Sequence, residues 1–288
     1  MLRYDQESIR KLLQDAADAG ASDIHIKVPA RPRFRVAGQL VNTPYPPLTP
    51  DDTRRIAQEL LALARTELPL NTLTERELSF GVHRIGRFRA YLYRQRGSLG
   101  IIIHRMAMDA VPTLKDLGGT PELGDLIWKE PGLVLVTGQR QRLALMAALL
   151  QHFNRYGRGY LLSLEHPLEF LHQDGNCAVA QREVPHDTPT FTEGLAWALT
   201  GDCDAVLSSD LPDPGAAEMA LRIAENGRHM VASVVGCPAE EAGRWLVRMF
   251  PLQREREISG RLRRVLRMVV WEKDGKIGIL PASELPLE

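Results

Sequence analysis

Apolar positions recur along the chain with two different periods, and the change of period divides it. Between Asp5 and Ala19, residues Ile9, Leu12, Leu13, Ala16 and Ala17 make one helical stripe that Gly20 ends. Asp23–Val28 then alternates strictly, as a half-buried strand does. Arg33–Val36 is expected as its neighbour, with Gly38 in the turn between further strands. Thr49-Pro50-Asp51-Asp52 reads as a helix start: a capping hydroxyl, a proline in the first turn and two acids on the positive end of the dipole. That helix should run to about Ala64. Glu77–Val82, Arg87–Tyr93 and Ile101–His104 predict three antiparallel strands joined by Gly-containing turns.

An α+β module therefore occupies residues 1–106, and the patternless, Pro-containing stretch 107–113 reads as a linker. From 114 to 288 strands and helices alternate, which predicts a mostly parallel sheet with helices on both faces. The expected strands are Leu133–Val136, Tyr160–Leu164, Ala178–Gln181, Ala205–Leu207 and Met230–Val235. The expected helices are Pro121–Trp128, Leu143–Phe153, Thr190–Leu199, Pro214–Glu225 and Ala239–Met249. Val265–Trp271, Asp274-Gly275 and Ile277–Leu280 read as a closing hairpin.

The most informative stretch is Gly132–Gly138 with Gln139-Arg140-Gln141-Arg142 and the apolar helix behind it. Leu133–Val136 is the continuous apolar run of a fully buried parallel strand. A glycine at its end, leading into a helix, is where α/β folds expose backbone N–H groups to a phosphate. A working phosphate loop also needs the pattern G-x-x-x-x-G-K-[ST], with a lysine for charge and a hydroxyl for Mg²⁺. After Gly138 there is no second glycine, no lysine, and no serine or threonine before Ser163. The scaffold is present and the chemistry is missing.

Composition narrows the classes further. The 36 basic and 36 acidic residues cancel, so no global field favours nucleic acid or an anionic membrane. Cys177, Cys203 and Cys237 are sparse and odd in number, which fits buried thiols in a reducing compartment better than disulfides or zinc. The start lacks an apolar export segment and no stretch is long enough to span a bilayer, so a cytoplasmic protein is expected.

Several blocks now stand in a telling order. Ala21–Leu40, Gly86–Met106 (with its G-R-F-R start), Gly132–Gly138, Leu164–Phe170 (L-E-H-P-L-E-F), Gln181–Leu199 and Gly201–Leu207 together resemble the type II/type IV secretion ATPases, in particular the retraction motor of type IV pili. The resemblance covers nearly the whole chain. It implies an α/β protein with a PAS-like N-terminal α+β domain, residues 1–106, and a RecA-like (P-loop NTPase-type) αβα domain, residues 114–288. It also implies a cytoplasmic hexameric ring beneath a membrane platform, and a C-terminal helical part of which this chain would lack most.

The departures from the family pattern fall on every side of one site. Its loop T-G-x-T-G-S-G-K-[ST] is reduced here to Thr137, Gly138, Gln139, Arg140, Gln141 and Arg142, two residues shorter. Its acidic box E-D-P becomes Glu165-His166-Pro167. Two arginines before its second acidic strand become Ala196 and Thr200, and its catalytic glutamate becomes Asp210. Its T-L-H-T-T becomes Ser233-Val234-Val235-Gly236-Cys237.

Each remaining residue has a plainer reading beside the functional one. Arg140 or Arg142 would replace the lysine only if the backbone still curled around phosphate; otherwise Gln139–Arg142 is a solvated turn. Glu165 and Asp210 read as remnants at a cleft mouth or as metal carboxylates, His166 as locally hydrogen-bonded, and Asp202 and Asp204 as turn residues. By resemblance, Arg87, Arg89, Arg94, Arg96 and Arg105 stand where the family's subunit-interface arginines do; a solvated strand face is the alternative. Arg256, Arg261, Arg263, Arg264 and Arg267 read as an exposed helix face.

The expectation is a catalytically inactive relative of the motor, a pseudo-ATPase with no cofactor and no metal, acting through protein contacts. Its expected partners are other copies of itself, an active paralogous motor ATPase, or a pilus or secretion platform protein. No nucleic acid is expected, and at most a peripheral place at the inner membrane. The alternative is a divergent ATPase that takes ATP and Mg²⁺, with Arg140 or Arg142 for the lysine and Asp210 as the carboxylate. A weaker third reading is an adaptor whose PAS-like half binds a small ligand.

Overall fold

The computed structural model describes residues 4–106, 111–138 and 141–286. The chain divides into two compact units, Met1–Met108 and Asp109–Glu288. Most of the expected linker, residues 107–110, lies outside the described residues.

The first unit is built on strict alternation. Its strands are β1 (Ala21–Ile26), β2 (Arg33–Val36), β3 (Gln39–Asn42), β4 (Glu75–Val82), β5 (Gly86–Gln95) and β6 (Ser98–Arg105). They form one antiparallel sheet in the order β3-β2-β1-β6-β5-β4. Helices α1 (Gln6–Asp18) and α2 (Pro50–Leu63) cover one face. Ile9, Leu12, Leu13 and Ala16 of α1 and Ile56, Leu60 and Leu61 of α2 meet Ile24, Ile26, Phe80, Phe88, Leu92, Ile101 and Ile103 of the sheet. Helix α2 starts as its sequence predicts: Thr49 and Asp52 form a reciprocal capping box with Pro50 in the first turn.

In the second unit the strands are β7 (Gly132–Gly138), β8 (Gly159–Glu165), β9 (Cys177–Glu183), β10 (Ala205–Ser208), β11 (His229–Val235), β12 (Leu266–Lys273) and β13 (Lys276–Pro281). Their order is β13-β12-β7-β11-β10-β8-β9, parallel from β12 to β9, with β13 antiparallel at the edge. The predicted hairpin is thus part of the main sheet, since β12 pairs with β7. Helices α3 (Pro121–Ile127) and α4 (Arg142–Tyr156) pack on one face. On the other lie α5 (Phe191–Thr200), α6 (Pro214–Glu225), α7 (Ala242–Arg248) and α8 (Glu255–Val265). The helix expected over Ala239–Met249 opens with a single 3-10 turn, Ala239–Glu241, before α7. β7 explains its own sequence: Leu133 and Leu135 enter the core under α5–α8, and Val134 and Val136 the core under α3 and α4. A strand apolar on both faces belongs in the middle of the sheet.

Two glycines make opposite demands. Gly159 has φ of +122° and any Cβ there would run into the Asp204 carboxylate, whose Oδ2 accepts the Tyr160 N–H at 2.7 Å. Gly260 lies inside α8, where a Cβ would meet only Arg264 Nη1 at 4.0 Å. Gly159→Ala should therefore cost more than about 1 kcal/mol. Gly260→Ala should stabilise by about 0.5–1 kcal/mol. Urea unfolding of the two variants checks both signs.

Candidate functional site

Parallel strands β7, β11, β10 and β8 end on one edge of the second sheet, at Gly138, Val235, Ser208 and Glu165. In open parallel sheets the ligand crevice lies outside such carboxyl ends. Thr137 is buried, and Gly138 stands in register between Val235 on β11 and Glu272 on β12. A Cβ on Gly138 would sit 3.1 Å from Glu272 Oε2 and 3.2 Å from Glu272 Cβ. Gly138 therefore has a packing reason that needs no phosphate. Glu272 is itself buried and accepts the Gln141 N–H at 3.3 Å. Gln139 and Arg140 lie outside the described residues.

Arg142 is the first residue of α4. Its Nη1 donates to the Ser209 carbonyl oxygen at 2.6 Å and to Ser233 Oγ. Ser209 follows β10 and Ser233 lies on β11, both buried, so one guanidinium ties two strand ends to the helix start. Burial lowers its pKa from the usual arginine value, against the pull of the Asp210 and Glu169 carboxylates.

The two carboxylates singled out in the sequence stand at the ends of the neighbouring strands, Asp210 after β10 and Glu165 at the end of β8. Burial pushes the Asp210 pKa up; the Leu211 N–H at 2.8 Å, Arg142 and His166 pull it down. Glu165 ends β8, and burial pushes its pKa up to about 7. Two hydrogen bonds to its Oε1, from Ser163 Oγ at 2.5 Å and Gln181 Nε2 at 2.9 Å, oppose that shift, while Glu169 and Glu183 add to it. His166 donates its backbone N–H to Ser209 Oγ and sets Nδ1 2.9 Å from the Val184 carbonyl, a local partner. Among the described residues no group of three His, Cys, Asp or Glu is arranged to hold a metal ion.

Glu272, Glu183, Ser209 and Ser233 also belong to this edge, though none of them is singled out in the sequence as a site residue. Glu183 is buried and takes the Leu168 N–H at 3.3 Å. Only strand register brings Glu272 to Gly138, across more than a hundred residues of chain. A cavity of about 330 Å³ adjoins Gly138 on the β12 side, with Cys237, Trp271 and Glu272 in its wall.

The five arginines of the first unit do not act as one group. Arg87 and Arg89 project from the sheet face opposite the helices, where Arg89 pairs with Glu77 and lies 5.0 Å over the Tyr91 ring. Arg94 folds back onto its own unit, donating to the carbonyls of Leu70, Asn71 and Leu73 at 2.8 Å each. Arg96 sits in the β5–β6 turn with φ of +50°, and Arg105 stands opposite Phe88. The basic run expected as one exposed helix face is not one: Arg267 lies on β12, its Nε donating to the Pro131 carbonyl at 2.9 Å, and the arginines of α8 are not uniformly exposed. Arg261 is largely buried and reaches Glu218 and Glu225, each at 2.8 Å. Acids on α6, a helix distant in sequence, draw it inward.

Comparison with known proteins follows from this layout. No family model matches the chain. It is 29% identical over 264 residues to the type IV pilus retraction ATPase PilT of Pseudomonas aeruginosa, an alignment covering 91% of this chain and 76% of that one. It is 27% identical over 275 residues to the type IV pilus ATPase PilU of the same organism, covering 92% and 71%. The crystal structure of the pilus retraction motor PilT with bound ADP superposes with a TM-score of 0.82 at 27% identity, over 93% of this chain and 80% of that one. This chain is a relative of the type IV pilus and secretion ATPases. Its mixed α/β fold is theirs.

The raised pKa of Glu165 has a sign. Folding makes this carboxyl hold its proton more tightly, so its contribution to stability is complete below about pH 4.5 and is lost as pH rises through about 7. Glu165→Gln keeps an acceptor for Ser163 and Gln181 and cannot ionise. The variant should gain on the parent by about 2–3 kcal/mol between roughly pH 5 and pH 8. His172, pushed down to about 4 by burial, works in the opposite direction in both proteins and drops out of the difference. Denaturant unfolding across that range measures it, and a flat difference counts against the assignment.

Proposed function

We propose that this protein serves a pilus or secretion machine through protein contacts and does not hydrolyse ATP. The observation that carries the reading is that both halves of a phosphate site are already engaged inside the protein. The Gln141 N–H faces the Glu272 carboxylate, and the Arg142 guanidinium faces Ser209 and Ser233. A phosphate brought to this turn would meet a buried carboxylate where it needs donors.

The residues present do not fit Mg-ATP in other respects. No lysine occurs between Lys129 and Lys273, and no serine or threonine between Gly138 and Ser163. Arg142 follows Gly138 at a spacing two residues shorter than the lysine of a working loop requires. Asp210 is one methylene shorter than the glutamate of the family pattern, and displacements of that order cost about a hundredfold in rate. Glu165 and Asp210 are then remnants at a crevice whose ligand is gone, with no cofactor and no metal.

In this reading the first unit is PAS-like, supported by an antiparallel sheet covered by helices on one face. The second is RecA-like, supported by a parallel sheet between two helical layers. The partners are other copies of this chain, an active paralogous ATPase or a platform protein, with Arg87 and Arg89 on the sheet face opposite α1 and α2. No helix among the described residues is long and apolar enough to cross a membrane. We place the protein in the cytoplasm, peripheral to the inner membrane at most.

Two measurements test this. Thermal unfolding with Mg-ATP or Mg-ADP should match unfolding without nucleotide, and phosphate release should stay at background. A true ligand near 100 times its dissociation constant would add about 2.7 kcal/mol. That gain, with phosphate release abolished by Asp210→Asn, would establish the divergent enzyme instead. Separately, Arg142→Ala should destabilise the nucleotide-free protein by about 1–3 kcal/mol, because it strands buried acceptors. An Arg142 kept for a nucleotide would be dispensable without one.

A further inference from the structure

Two sets of arginines stand out on α7, on α8 and in the turn just before α8. One set is neutralised inside the protein: Arg254 and Arg261 reach Glu218, Glu225 and Glu257 at 2.8–3.2 Å. The other set lines a groove of about 650 Å³ between the helices, Arg244 and Arg248 on α7 with Arg256 and Arg263 on α8. Glu255 is the one acid in that wall, so even with Arg263 left out of the count Arg244, Arg248 and Arg256 leave a surplus of two positive charges, on a chain whose net charge is zero. Arg244, Arg248 and Arg256 make no ion pair among the described residues, and Arg244 Nε is buried without a hydrogen-bond partner among them. Acids within α6 and α8 neutralise the first set, so the shortfall in the groove is local. Like charges gathered this way repel one another unless an anion shares the space.

We propose that this groove receives an extended acidic segment of a partner protein. The spacing selects a chain of charges over a single compact anion. Arg256 and Arg263 are seven residues apart, about 10 Å along the helix axis, and Arg244 and Arg248 about 6 Å. Carboxylates on alternate residues of an extended peptide recur every 6.6–7 Å or so, and each suits a two-pronged guanidinium contact. Gly260, also in the wall, leaves room for a peptide backbone, since the nearest atom to a Cβ there is 4.0 Å away. The partner is not a second copy of this chain, in which no three carboxylates stand on alternate residues. This site goes beyond the proposed function and does not depend on the state of the phosphate loop.

The test uses the full chain and a fluorescein-labelled peptide of alternating glutamate and glycine, read by fluorescence anisotropy at physiological salt. Saturable binding is expected, weakened about tenfold or more by Arg248→Glu or Arg256→Glu. Both side chains are exposed, so neither change disturbs the core. Arg76→Glu, the same charge change on exposed β4, should alter binding less than about twofold. Absence of saturable binding, or equal losses in all three variants, overturns the proposal. So does inorganic pyrophosphate displacing the peptide at concentrations below the peptide's own dissociation constant, which would make the groove a phosphate site.

Discussion

A guanidinium has five N–H donors in a rigid plane and keeps its charge at any working pH, so a half-buried arginine must be answered by acceptors in the chain around it. At the crevice of the second unit that arginine is Arg142, and its acceptors are the Ser209 carbonyl and the Ser233 hydroxyl. The start of α4 and the ends of β10 and β11 are thereby held together by one side chain. Across the same turn Glu272 answers the Gln141 N–H. Opposite charges thus meet opposite needs on the two sides of Gly138, and the crevice is satisfied from within.

That arrangement rests on a platform whose stability lies elsewhere. Each unit closes its own apolar core, and β7 contributes to the cores on both faces of the second sheet. Such cores do not require the strand ends to carry any particular chemistry. The polar groups at those ends must still find partners, with or without a ligand. A parallel sheet concentrates that requirement on its carboxyl edge, where Thr137, Ser163, Ser208, Ser209 and Ser233 are all buried. Ser208 turns to the Asp210 carbonyl and Ser163 to Glu165, two further cases of the edge answering itself.

Most of the fold was legible in the chain because its signals are local. Alternation in β1, the stripe in α1 and the capping box of α2 are written within a few residues. The missing lysine and hydroxyl after Gly138 were legible for the same reason. What replaced them was not. Glu272 reaches Gly138 only through the pairing of β12 with β7, and Arg261 leaves the surface only because α6 presents Glu218 and Glu225. Both facts depend on which elements become neighbours, and no spacing along the chain encodes that.

The arginines show why residue type alone underdetermines a site. Arg94 is held by backbone carbonyls, Arg89 by an acid and a ring, Arg261 by two acids, and Arg142 by a carbonyl and a hydroxyl. In each case the partner decides whether the charge is available to another molecule. A site that has lost its ligand is therefore recognised less by the residues it lacks than by donors and acceptors that have found partners within the chain. At the crevice beside Gly138 the Gln141 N–H and the Arg142 guanidinium have such partners, as the proposed function requires. The groove between α7 and α8, where Arg244 keeps a buried donor without an acceptor among the described residues, remains open to an anion.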